Sequence, residues 1–80
     1  MQADAIYPRL TTILRDVFDD ASLVARADLT ADDVEDWDSL SHLRLITTVQ
    51  KSFGIKFSAA EIGRLSNVGD LARLIEAKAA

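Results

Sequence analysis

The chain has no cysteine, so neither a disulfide framework nor a thiolate metal site can stabilise it. In 80 residues that leaves one hydrophobic core, near the lower size limit at which such a core suffices. A reducing cytoplasm is the compartment this composition suits. With one proline and three glycines there is no low-complexity segment, internal repeat or linker. No apolar run approaches the roughly 18 residues of a membrane span. The opening "MQADAIYPRL" has neither the basic start nor the continuous apolar stretch of a secretory signal. No membrane insertion is expected. A single histidine and no cysteine leave few groups for acid–base or nucleophilic catalysis. Nine Lys and Arg stand against thirteen Asp and Glu, giving a net charge of −4 and a pI near 4.7. Such a balance excludes the phosphate backbone of nucleic acid as a partner. It suits a protein that meets basic surfaces on other proteins.

What the chain does have is hydrophobic residues, 49% of the total, arranged at a helical period. Ile6, Leu10, Ile13, Leu14 and Val17 stack one face of a first helix. Pro8 is tolerable only near a helix start, which predicts a frayed or irregular beginning. Asp19 and Asp20 oppose the dipole of a C-terminus, so the helix stops about there. Residues 21–38 show no sustained period, and a loop of that length in a compact domain is usually functional. Leu23, Val24, Leu29, Val34 and Trp37 are expected to pin it to the core. "TADD" (30–33) supplies one short capped turn.

A second helix is predicted over Ser39–Phe53, with Gly54 just past its end. Leu43, Leu45, Ile46, Val49 and Phe53 form its core face, while Leu40, Arg44, Thr48 and Lys51 point away. "SAAE" (58–61) is a capping box that opens a short third helix. Asn67 with Asp70 caps a fourth, whose stripe is Val68, Leu71, Leu74 and Ile75. The expected fold is all-α: a small four-helix bundle, three longer helices plus one short, with a long loop between helices 1 and 2. Residues 1–80 read as one free-standing, monomeric domain.

Asp38 and Ser39 stand at the start of the second helix. Each residue type caps free backbone amides, and the cap is the simpler reading of either position. A helix N-terminus also favours a phosphate, so Ser39 could carry a phosphodiester at little cost. The two readings are compatible. His42 reads as a packing or capping residue, and Trp37, just before the cap, as a hydrophobic staple. The acids of "DDVED" (32–36) read as a solvated loop; no metal site is expected there.

"DWDSLSHLRLI" resembles the attachment motif of acyl carrier proteins, in which Asp-Ser-Leu opens the second helix. The long preceding loop, "SFGIKFSAAEI" and "LSNVGDLARLIEAKAA" are similar to that family in order and spacing, over nearly the whole chain. The resemblance implies that Ser39 receives 4'-phosphopantetheine from coenzyme A through a separate, magnesium-dependent phosphopantetheinyl transferase, and that the arm's thiol carries acyl groups as thioesters. By position, Asp38 matches the acid that helps hold the transferase metal, and Leu40 a leucine that partner enzymes contact. Further partners implied are an acyl- or aminoacyl-loading enzyme and a downstream synthase or acyltransferase. The space beneath residues comparable to Phe53, Phe57 and Ile62 can admit an acyl chain in the family, and Ile46 and Leu65 are expected to border it.

Two departures from that pattern stand out. Asp36 stands where many carriers have Gly; Asp tolerates a left-handed backbone better than most residues. The second helix contains no Asp or Glu, only Arg44, Lys51 and His42, whereas many fatty-acid carriers are acidic there. Leu40, Arg44 and Lys51 are therefore the candidate partner-contact residues, with Glu35, Asp36 and Asp38 as acids at the helix mouth. This tilts the reading toward a specialised biosynthetic pathway. The competing reading is a small helical protein-interaction module without a prosthetic group. A carrier is acted on by enzymes and contributes no catalytic residue of its own.

Overall fold

The computed structural model describes residues 2–34 and 37–79. Four α-helices follow in order among these described residues: α1 (Ala3–Val17), α2 (Ser39–Phe53), α3 (Ala59–Gly63) and α4 (Val68–Lys78). A 3-10 turn, Ala31–Asp33, interrupts the long connection between α1 and α2. No strand occurs among the described residues. α1 packs against both α2 and α4. The core between them is Ile6, Leu10 and Leu14 of α1, Leu45, Ile46 and Val49 of α2, and Val68, Leu71 and Ile75 of α4. No polar or charged side chain among the described residues is buried in it.

α1 is more regular than its proline suggests. The helix runs unbroken from Ala3 through Pro8, its sixth residue. Pro8 lies on the exposed face, while Ile6 and Leu10 on either side of it are fully buried. Burial of those two residues outweighs the one missing amide donor and holds the segment helical. The other end closes as expected, at Val17. Asp19 takes a left-handed conformation (φ 50°) and the Asp20 amide reaches back to the Arg15 carbonyl, 3.1 Å. That is a Schellman-type stop built on Asp in place of the usual Gly. Gly54 (φ 67°) closes α2 in the same manner, with Ile55 donating to the Gln50 carbonyl.

The connection is held by backbone rather than by all the side chains proposed for it. Leu29 and Val34 are buried, and Leu23 and Trp37 pack on the core, but Val24 is 52% exposed. Its neighbour Ala25 is buried instead, because its amide donates to Thr11 Oγ1 on α1 (2.9 Å) and turns that residue inward. Thr30 and Asp33 form the reciprocal cap of the 3-10 turn. Farther along, the first amides of α4 reach the loop: Val68 N–H donates to Leu29 O (2.9 Å) and Gly69 N–H to Ala27 O (3.0 Å). Gly69 is required for this approach, since a Cβ there would lie 2.9 Å from the Ala27 carbonyl oxygen. Asp36, for which a left-handed turn is expected, lies outside the described residues, as does Glu35.

Both later caps form as the spacing implies. Ser58 Oγ accepts from the Glu61 amide and Glu61 from the Ser58 amide, while Asn67 Oδ1 accepts from the Asp70 amide. Glu61 also pairs with Lys78 at 3.0 Å, tying α3 to α4. The Ser58 amide, and then Lys78, holds the Glu61 carboxyl below its ordinary range; the Ser66 amide does the same for Asp70. Depressed folded-state values mean that the folded chain binds fewer protons than the unfolded chain. The stability from these caps is therefore fully present above the unfolded carboxylate values, about 4, and lost as pH falls through the folded values. The urea midpoint is expected to fall on acidification below about pH 4. A midpoint that holds or rises there would contradict the capping roles.

Candidate functional site

Asp38 and Ser39 divide between them the roles that the sequence leaves open. Asp38 is the N-cap of α2: its Oδ1 accepts from the Ser41 amide at 2.8 Å, and its carbonyl accepts from the His42 amide at 2.9 Å. The Ser41 amide lowers the Asp38 pKa from its ordinary value, so the cap is an exposed carboxylate at neutral pH. Ser39 is the first helical residue, exposed, and its hydroxyl has no hydrogen-bond partner among the described residues. The helix start is thus completed without the serine, whose oxygen is left accessible.

Beside Ser39 lies a groove of about 570 Å³ between the start of α2 and the α3–α4 corner. Leu43 and Leu45 line it from α2, Leu65, Val68 and Leu71 from the other side, with Trp37 and His42 at the loop end. Leu65 lines this groove, whereas Ile46 is buried in the core at 2% exposure. Leu43 departs from its expected place on the core face, being 56% exposed at the groove's rim. Two residues before Leu45, it is rotated by about 200°, past the arc that the neighbouring helices cover. Phe53, Phe57 and Ile62 are half-buried against the core and do not line the groove.

The staple position before the cap is filled, but not by purely apolar contact. Trp37 Nε1 donates to His42 Nδ1 at 3.1 Å, with the two rings stacked 28° apart. On its other side Trp37 meets Phe18, centroid to centroid 5.1 Å. The donated bond needs an unprotonated Nδ1, so neutral His42 carries its proton on Nε2. The sequence signal for this pair is its spacing, the residue before the cap and the fourth helical residue, where staples are made. Leu40, at 68%, is the most exposed large hydrophobic among the described residues, and Arg44 and Lys51 are exposed farther along the same helix. No group of three His, Cys, Asp or Glu able to hold a metal occurs among the described residues.

The profile of the family described as "phosphopantetheine attachment site" matches residues 8–75, including all of α2 and the groove-lining residues. The chain belongs to that family. Among solved structures, this carrier is similar to the holo acyl carrier protein of Geobacter metallireducens, determined by NMR in solution. The two share 46% sequence identity with a TM-score of 0.86, over 90% of this chain and 83% of that one. No curated protein sequence matches the chain. Its function is that of an acyl carrier, and its cofactor is covalently attached phosphopantetheine. The residues present fit such a group: an unengaged hydroxyl at a helix start, and a largely apolar groove beside it. No helix among the described residues is long and apolar enough to cross a membrane.

Proposed function

We propose that Ser39 is the attachment residue and that the 80 residues act as a single monomeric carrier domain. The observation that supports this most is the division of labour at α2, where Asp38 caps the helix and the Ser39 hydroxyl is exposed and unengaged. In the transfer, Ser39 Oγ attacks the phosphorus of coenzyme A that bears the pantetheine. A P–O bond forms there, the pyrophosphate bond breaks, and adenosine 3',5'-bisphosphate leaves. The serine proton passes to a base on the transferase, since no described residue is bonded to the Ser39 hydroxyl. Asp38, ionised at neutral pH, would help hold the transferase-bound magnesium, which would supply charge stabilisation to the phosphate. Once attached, the arm supplies a thiol on which acyl groups ride as thioesters.

The chain's own residues then present that cargo. The leucine-lined groove shelters apolar parts of it, and Leu40, Arg44 and Lys51 meet partner enzymes. Those partners are the transferase, an acyl- or aminoacyl-loading enzyme and a downstream synthase or acyltransferase, in the cytoplasm. The carrier is their substrate and not a catalyst. The test is the intact mass of the purified chain after incubation with coenzyme A, magnesium and a broad-specificity phosphopantetheinyl transferase. One added arm is expected; an unchanged mass would favour a plain helical interaction module.

A further inference from the structure

We infer that the protein partner met by the outward face of α2 presents an apolar socket ringed by carboxylates. Three large hydrophobic side chains stand in solvent among the described residues: Val24 (52%), Leu40 (68%) and Leu43 (56%). Two of the three lie within one turn of Ser39. Leu40 and Leu43, three residues apart, are neighbours on the helix surface. Leu40, Arg44, Thr47 and Lys51 fall within an arc of about 60°, opposite the buried Leu45, Ile46 and Val49. Neither the Arg44 nor the Lys51 side chain makes an ion pair or hydrogen bond with any described residue.

Charge along the chain is segregated in a way that its total conceals. Residues 1–38 hold ten acids against three arginines, and residues 61–80 hold three of each sign. Residues 39–60 hold Arg44, Lys51 and Lys56 and no acid at all. An anionic protein therefore turns a cationic, leucine-bearing face outward directly beside its attachment point. An enzyme acting on a group held at Ser39 must bring its surface against these first turns of α2. Leucines there reward an apolar socket, and unpaired cations reward carboxylates around it while disfavouring a basic patch. A lipid surface fits less well, because the broad apolar face of α2 is already buried in the core and Leu40 with Leu43 is too small a stripe to insert. The inference rests on the proposed partner contact at α2, and on the Ser39 reading only for the direction from which a partner comes.

The test uses the 15N-labelled chain and two helical peptides with the same leucine stripe, one flanked by Glu and the other by Lys. The Glu peptide is expected to shift amides of Leu40, Leu43, Arg44 and Lys51; the Lys peptide is not. Joint Arg44→Glu and Lys51→Glu replacement should weaken the Glu peptide about tenfold or more at low salt, an effect that fades above physiological ionic strength. Leu40→Ala should weaken it at every salt concentration. Equal binding of both peptides at α2, shifts confined to other elements, or an unaffected charge-reversed variant would each overturn the inference. So would binding to phosphatidylglycerol vesicles without peptide binding, or concentration-dependent broadening of the α2 amides in the protein alone, which would assign the face to a second copy. Intact mass after transferase treatment, measured on the same sample, reads the Ser39 assignment separately.

Discussion

Ser39→Ala is expected to abolish phosphopantetheine loading completely while leaving the fold in place. The effect is all-or-none because the hydroxyl oxygen becomes part of the new phosphodiester, and alanine offers nothing to replace it. The fold survives because the first turn of α2 does not depend on this serine. Asp38 Oδ1 accepts from the Ser41 amide, and the Ser39 hydroxyl bonds to no described residue. The cost to stability should therefore fall below the roughly 0.5–2 kcal/mol of a lost N-cap. Alanine even has the higher helix propensity. Asp38→Ala should instead pay the cap penalty in stability and also slow loading, since the carboxylate proposed to face the transferase magnesium is gone. Intact mass spectrometry with circular dichroism on both variants decides the matter. An arm still added to Ser39→Ala would place the attachment elsewhere, with Ser41, on the same first turn, as the next residue to replace.

Ile46→Ala is expected to cost about 2–5 kcal/mol, the usual penalty for emptying a well-packed aliphatic site. For a domain whose whole stability is on the order of 5–15 kcal/mol, that is a large share. At this chain length it corresponds to a fall in melting temperature on the order of 10–30 °C. Ile46 is 2% exposed and sits in the core with Leu45 and Val49, so the cavity opens at the centre of the molecule. Leu43→Ala removes the same kind of side chain three residues away, yet should change the urea midpoint little, because Leu43 is already more than half exposed. The pair of midpoints fixes the rotation of α2. Equal losses at the two positions would show that the helix faces the core differently.

The sequence carries the ends of the helices well because capping is local chemistry. Ser58 with Glu61, Asn67 with Asp70, and Gly54 after Phe53 each satisfy backbone groups within a few residues, so spacing alone locates them. Residues whose burial depends on a distant element are less legible. Leu43 belongs to a helical stripe by type, but the stripe is wider than the groove-side neighbours can cover. Val24 yields its place to Ala25 because of a bond to Thr11, fourteen positions away. Pro8 reads as an obstacle only when the burial of Ile6 and Leu10 is unknown. At the site, the position of Ser39 is plain from its motif and its helix start. That Asp38 alone does the capping, and that Trp37 bonds His42, are facts of side-chain geometry.

The clasp between Gly69 and Ala27 also sets an order of events in the life of the chain. Its partners are 42 positions apart, and the neighbouring bond joins Val68 to Leu29. A ribosome releases the amino-terminal end first, so the carbonyls of Ala27 and Leu29 wait for donors that belong to the last helix. Until α4 arrives the connecting segment has no clasp, and the groove beside Ser39 lacks the wall made by Leu65, Val68 and Leu71. The serine, by contrast, sits on a helix whose cap is complete within four residues. The cap at the proposed attachment point thus needs no atom from α4, whereas the shelter beside it stays incomplete until α4 packs.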